Sequence, residues 1–413
     1  MKAILVIADG MADRPLKELD GKTPLEAAVK PAMNRIAENG VCGIVDPILP
    51  GIPPGSDAAT LAFLGYSPME VYSGRGALEA VGSGVKVLPE DVAFRCNFAT
   101  ADKNLTVLDR RAGRISNEDA SRLTRSLQKI KLKRSLNASF LFKNTVQHRA
   151  ALVIRGPKLS TMISDSDPEV NGKKVLKIRP LDKRPESART AAIVSDLMIR
   201  FQKVLAEHPV NNERARRGQP LANIVLCRGA GTIPKITTLR ELYDVKSACV
   251  AAVSLIRGVC RVAGMDLVSL KGATGTPQTD YMAKAKEAVQ ALKTHDFVLL
   301  HVKATDVASH DGDARLKTEI IGKIDRMLDY LLKNVDLSTT HVALTADHTT
   351  SCATRNHEGD PVPVAVFGPC VRRDSVKEYS ERACAEGGIN RISGPDLMHI
   401  IMGYLGRTKK FGA

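Results

Sequence analysis

Apolar positions along the chain fall into two alternating regimes. KAILVIAD (2–9) is a short unbroken apolar run and predicts a strand, whereas PLEAAVKPAMNRIAEN (24–39) spaces its apolar residues at helical intervals and predicts one helix. VCGIVDPIL (41–49) predicts a second strand, followed by a Pro/Gly-rich loop from Gly51 to Gly55 that delivers Ser56. Towards the C-terminus, FVLLHVKATD (297–306), HVALTADHTT (341–350) and VPVAVFGP (362–369) are short and rich in Val and Leu, as expected of strands buried on both faces. EIIGKIDRMLDYLLKNV (319–335) predicts an amphipathic helix between the first two of these. The longest apolar run, ACVAAVSLI (248–256), reads as a buried helix and is far short of the roughly 20 residues that span a bilayer. The alternation predicts an α/β fold with a mainly parallel sheet flanked by helices, and places several acids just past strand ends, where such sheets form their ligand crevice.

The middle of the chain follows its own pattern. VAFRCNFAT (92–100), ASFLFK (138–143) and ALVIRG (151–156) predict strands, and PESARTAAIVSDLMIRFQKVLAE (185–207) predicts a helix with Ile193, Leu197, Phe201 and Val204 on one face. Between Lys86 and Thr232 there are 29 Lys plus Arg against 14 Asp plus Glu, while the rest of the chain holds 31 of each, so the whole formal excess of +15 lies in this stretch. The expected organisation is a discontinuous core, 1–85 and 233–413, carrying a smaller basic α+β insert, 86–232. KLKR (131–134) and ERARR (213–217) within it read as exposed faces.

Composition narrows the class. The chain of 413 residues, 44% hydrophobic, is long enough for two cores. With no Trp and 4% aromatics, those cores are expected to be aliphatic. The eight cysteines show no C-x-x-C pair and no zinc-ribbon spacing, which suits reduced thiols; with charged Lys2 leading straight into a strand, a cytoplasmic location is expected.

Chemistry concentrates in five segments: ILVIADGMADRP (4–15), PPGSDAATLAFLGY (53–66), KATDVASH (303–310), TADHTT (345–350) and NHEGDP (356–361). Singly each has a bland reading: Asp9-Gly10 as a turn, His348 as a core histidine, Ser56 as a helix N-cap. Together they supply two ligand groups. Asp306, His310 and His357 suit one divalent ion; Asp9, Asp347 and His348 suit a second, with Ser56 on it. A paired site of this kind clamps a phosphoryl group and eases loss of the serine proton, so Ser56 reads as an alkoxide nucleophile.

With ADGMADRP, TPLEAA (23–28), PPGSDAATLAFLGYSP (53–68), YSGRGALEA (72–80), DRRAGRI (109–115), KATD, TADH and NHEGDPVPVAVFGP (356–369), the chain resembles the archaeal-type cofactor-independent phosphoglycerate mutases of the alkaline phosphatase superfamily, from its first residues to about Leu405. The resemblance implies an alkaline-phosphatase-like core and the same two ligand groups. It also implies an isomerase of glycolysis and gluconeogenesis that interconverts 3-phosphoglycerate and 2-phosphoglycerate through phosphoserine at Ser56. Two divalent ions are implied, Mn foremost with Mg, Co or Zn as alternatives, and no bisphosphoglycerate.

A substrate carrying phosphate and carboxylate suits a basic insert, because Arg forks both groups. Arg95, Arg110, Arg111, Arg149 and Arg228 are the candidates; His148 and Asp109 stand beside two of them and are suited to exchange protons with a glycerate hydroxyl. Lys271 and Lys303 are candidates for stabilising the phosphoryl oxygens. Alternatives are another phosphomutase or phosphatase with the same serine and ions, or a polyanion-binding protein. Against the last stand the absence of aromatics interleaved with the basic runs and the intact ligand set, so no specific nucleic acid is expected as a partner, and with no spanning apolar run no membrane is expected either.

Overall fold

A computed structural model describes residues 1–133 and 136–412. The chain divides into two compact units, Met1–Tyr72 with Ile236–Ala413, and Ser73–Lys235. The boundary expected at 85/86 falls at 72/73, because the helix Arg75–Gly82 buries Ala77 and Ala80 against Ala93, Ala151 and Val153 of the insert's own sheet.

The first unit is built on an eight-stranded sheet in the order Asn390–Ser393, Val41–Asp46, Val362–Phe367, Thr340–Thr345, Lys2–Ala8, Phe297–Val302, Ser247–Val250, Asp266–Leu267. All neighbouring pairs are parallel except the two made by Val362–Phe367. The three central strands are buried on both faces, which is why their sequences are continuous apolar runs rather than alternating ones. Ala8 lies level with Val302, and Ile7 with Thr345, so the residues that follow all three strands emerge at one edge of the sheet.

Two expectations need correction here. ACVAAVSLI is not one helix: Ser247–Val250 is a strand paired with Phe297–Val302, and the helix Ser254–Val262 begins after Val253. Periodicity cannot separate a buried strand from a buried helix in so short a run. PLEAAVKPAMNRIAEN is likewise two helices, Pro24–Ala27 and Pro31–Asn39, because a proline excludes the helical conformation at the residue before it, and Lys30 sits at φ −141°, ψ 57°. The amphipathic helix runs Ala314–Asn334, capped by Asp313.

In the second unit, Val92–Ala101 pairs antiparallel with Arg149–Arg155 on one side and Ile224–Gly231 on the other, and Ser139–Val146 extends the sheet. One face packs on the helix Pro185–Ala206, where Ile193, Leu197 and Phe201 are fully buried and Val204 partly so. This core is less aliphatic than composition implies, since Phe98, Phe142 and Phe201 form an edge-to-face trio with centroids 5.0 and 5.7 Å apart. Of the two basic runs, Lys131, Lys133, Arg216 and Arg217 are exposed, and Arg134 lies outside the described residues. Arg214 departs from expectation: it is buried, ion-paired to Asp119 at 3.2 Å and bonded to the carbonyls of Ala112 and Pro220. No helix among the described residues is long and apolar enough to cross a membrane.

Candidate metal centre and basic cluster

Asp9 follows Lys2–Ala8, Lys303 follows Phe297–Val302, and Asp347 follows Thr340–Thr345 after one residue. Asp306 and His310 share the helix Ala304–Asp311, and His357 lies in the short hairpin of Thr349–Ser351 with Asn356–Glu358. Gly10 completes the turn after Asp9 at φ +65°, and a Cβ there would stand 2.5 Å from Thr350 Oγ1 and 2.9 Å from Asp306 Cβ, so only glycine fits. Ser56 is the first residue of the helix Ser56–Phe63, not its cap, which is Gly55. Its hydroxyl lies 3.1 Å from His348 Nε2.

Two ligand sets converge. In one, Asp306 Oδ1 is 3.4 Å from His310 Nε2 and 3.3 Å from His357 Nε2, and the two imidazole nitrogens are 3.3 Å apart. In the other, His348 Nε2 is 3.4 Å from both Asp9 Oδ1 and Asp347 Oδ2. His348 also lies within ligand reach of Asp306 and His357, on whose ring its own stacks at 3.7 Å. Zinc-like bonds of about 2.0–2.2 Å in a tetrahedral shell set neighbouring ligand atoms about 3.3–3.6 Å apart, so these spacings fit divalent ions. The outward ring nitrogens agree. His310 Nδ1 donates to Arg355 O and His357 Nδ1 to Pro54 O, each at 2.7 Å, which leaves Nε2 as the free lone pair in both.

The electrostatics point the same way. Burial, with Asp9 adding to it, raises the Asp347 carboxyl well above its ordinary range, and Asp347 Oδ2 has no hydrogen-bond partner among the described residues. Burial also acts to raise Asp9, but Lys303 and His301 outweigh it and hold that carboxyl low. Lys303 Nζ lies 2.9 Å from Asp9 Oδ1, 2.7 Å from Asp306 Oδ2 and 3.4 Å from Ser56 Oγ; despite burial, these carboxylates lift its pKa above the ordinary value. Burial drives His348 down to about 3; burial acts to lower His357 as well, but Asp306, the Pro54 carbonyl and Asp347 together outweigh it and raise that imidazole. One ammonium against three buried carboxylates leaves a deficit that divalent cations would fill.

The other candidates lie in the second unit, apart from Lys271, which is exposed and makes no described hydrogen bond or ion pair. Arg95 stands opposite Arg228, and Asn97 opposite Arg149, so all four side chains share the sheet face away from the phenylalanine core. Burial lowers Arg95 to about 10, with Glu79 partly offsetting it at 3.4 Å and Arg228, Arg149 and Arg75 adding to it. Burial, then Arg149, Arg111 and Arg95, lower His148 to about 4, so it is neutral at pH 7. The fork of Arg110 is held by Asp167 at 2.7 and 2.8 Å, and Arg228 is paired with the same carboxylate at 3.8 Å and with Glu169. Asp109 accepts from the backbone N–H groups of Arg111 and Gly113 at 2.8 and 2.6 Å, a turn-shaping arrangement.

A profile of the family described as 2,3-bisphosphoglycerate-independent phosphoglycerate mutase matches residues 37–211. The enzyme of that name from Methanocaldococcus jannaschii is 46% identical over 412 residues, covering 100% of this chain and 99% of its own. The chain belongs to this family. Among solved structures, a Pyrococcus horikoshii protein superposes with a TM-score of 0.87 at 40% identity, covering 100% of this chain and 99% of its own. The cofactor-independent phosphoglycerate mutase of Thermoplasma acidophilum gives 0.70 at 36%, covering 98% and 100%.

Sequence reasoning passed over three residues, two beside the ligand sets of the first unit and one in the basic cluster of the second. His301 is fully buried, 3.0 Å from Asp9 Oδ2, and its only advance signal is an imidazole inside an otherwise apolar strand. Lys284 donates to His301 O at 3.1 Å and is lowered to about 8 by burial. Arg75 lay in a quoted motif without being singled out, and its charge acts on Arg95.

Proposed function

We propose that this chain converts 3-phosphoglycerate and 2-phosphoglycerate into one another without bisphosphoglycerate, through a phosphoserine at Ser56. The observation that carries the reading is a serine hydroxyl 3.1 Å from His348 Nε2 and 3.4 Å from Lys303 Nζ, at the start of a helix whose N-terminus favours anionic oxygen. Asp9, Ser56, Asp347 and His348 would hold one divalent ion, and Asp306, His310 and His357 the other. Their chemistry would be to ease deprotonation of Ser56 and neutralise phosphoryl charge. A shell mixing carboxylate, hydroxyl and imidazole suits Mn, with Mg, Co and Zn as competitors.

Ser56 Oγ forms its bond to phosphorus as the bond from phosphorus to the 3-oxygen breaks, and the serine proton ends on that oxygen. Lys303 is placed to bear part of the charge on the transferring group. Glycerate then presents its 2-hydroxyl, the phosphoryl group returns to it, and the hydroxyl proton returns to Ser56. Holding glycerate between the half-reactions requires cations on its carboxylate, the role proposed for Arg95, Arg111, Arg149 and Arg228. Neutral His148 is suited to accept a hydroxyl hydrogen bond beside them.

The test supplies 3-phosphoglycerate without bisphosphoglycerate, with and without Mn, and follows 2-phosphoglycerate. Ser56→Ala should abolish turnover with the fold intact, because no second nucleophile stands at that position. More than trace activity in this variant would end the phosphoserine mechanism.

A further inference from the structure

Each of the three histidines in the ligand sets directs Nε2 inward and Nδ1 outward, but the outward partners differ. His310 and His357 reach backbone carbonyls, whereas His348 Nδ1 lies 2.8 Å from the hydroxyl of Thr350. The same hydroxyl lies 3.0 Å from Asp306 Oδ1, a ligand atom of the other set. We propose that Thr350 is a positioning residue that joins the two ligand shells, accepting the Nδ1–H of His348 and donating its own proton to Asp306. This rests on the two-ion reading above.

The direction of both bonds follows from counting protons. A hydroxyl has one proton to give, and an ionised carboxylate only accepts, so the Thr350 proton goes to Asp306 and only lone pairs remain for His348. His348 must therefore carry its proton on Nδ1, leaving Nε2 as the lone pair that faces Ser56, Asp9 and Asp347. One methyl-bearing hydroxyl thus sets the tautomer in one shell and the carboxylate orientation in the other.

The surroundings hold Thr350 in that position. It is fully buried; its N–H donates to Ala12 O at 3.1 Å, its carbonyl accepts from Lys317 Nζ at 2.8 Å, and it pairs with His357 across the hairpin. Gly10 leaves the space its hydroxyl occupies, since a Cβ at that position would lie 2.5 Å from Thr350 Oγ1. Neither partner atom of the hydroxyl is a backbone group, so no main-chain adjustment replaces it.

The test titrates cobalt(II) into the ion-stripped full chain and follows its visible absorption in wild type, Thr350→Val and Thr350→Ser. Valine keeps the shape without the hydroxyl; serine keeps the hydroxyl. Wild type should take up two ions, Thr350→Val should bind them about 10- to 100-fold more weakly, and Thr350→Ser should stay within a few-fold of wild type. An unchanged Thr350→Val isotherm, or serine as weak as valine, would overturn the role of Thr350 while leaving the two-ion reading standing. Wild type that binds no cobalt would sink that reading itself. Nitrogen-15 spectra of labelled histidine in ion-free wild type give a measurement independent of any variant: His348 protonated on Nδ1 is expected, and protonation on Nε2 refutes the proposal even if Thr350→Val does not fold.

Discussion

Replacing Lys303 with Met should move ion affinity and turnover in opposite directions. The Lys303 ammonium holds Asp9 Oδ1 at 2.9 Å and Asp306 Oδ2 at 2.7 Å, and both carboxylates belong to the proposed ion ligands. A charge-assisted contact contributes about 1.5–3 kcal/mol net. Freeing a carboxylate from one such competitor corresponds to roughly 10- to 150-fold tighter ion binding at about 1.4 kcal/mol per decade. The same ammonium lies 3.4 Å from Ser56 Oγ, where phosphoryl charge develops, and loss of one positioned donor there costs about 10²–10³ in kcat. Ion affinity is read by competition with a chromophoric chelator, and kcat by coupled assay of 2-phosphoglycerate at saturating Mn. Weaker ion binding together with lower kcat would mean that Lys303 merely builds the site; an unchanged kcat would remove it from the chemistry.

Arg149→Ala should lower kcat/KM by about 10- to 150-fold, the loss of one bidentate charged contact, while Arg216→Ser with Arg217→Ser leaves it nearly unchanged, because these two end the helix Pro209–Arg216 and are not on the sheet face that carries Arg95, Arg149 and Arg228; the reverse pattern would misplace the anion site. His148 is lowered to about 4 in the folded chain against about 6.5 unfolded, so between those values the unfolded state binds more protons. Its contribution to stability is complete above pH 6.5 and lost as pH falls towards 4, and His148→Asn should flatten the urea-midpoint slope across that window; an unaltered slope would rule out a buried neutral imidazole. Lys317→Met strips Asp13 of its buried partner at 2.9 Å and the carbonyls of Ala12 and Thr350 of a donor, which should destabilise the first unit by about 3–5 kcal/mol in urea unfolding. A loss below about 1 kcal/mol would show that water compensates the carboxylate.

What the sequence made legible was chemistry bound to strand ends. Asp9, Asp347 and Asp306 follow short apolar runs, and parallel pairing of those runs levels their ends, so a linear reading already groups them. Side chains whose partners lie on distant elements were not legible. Nothing local separates Lys303, which reaches two ligand carboxylates, from Lys271, which is exposed, or Arg149 from Arg110, whose fork is held by Asp167. Thr350 reads as an ordinary strand residue until Asp306, 44 positions earlier, is brought to its hydroxyl. Element boundaries failed where one rule overrode another: Pro31 broke a helical period, and Ser247–Val250 was a strand hidden in a helix-length apolar run.

The position of Lys2–Ala8 in the sheet sets the timetable of biosynthesis. This strand leaves the ribosome long before its neighbours Phe297–Val302 and Thr340–Thr345. At about 5–20 residues per second, it waits roughly 15–60 s for its first neighbour. Ser73–Lys235 emerges complete in the meantime, with every strand of its sheet present. The nascent chain therefore carries all of Ser73–Lys235 while Lys2–Ala8 and Val41–Asp46, both apolar, still lack every strand they pair with, and these two segments are the ones a holding chaperone has reason to cover.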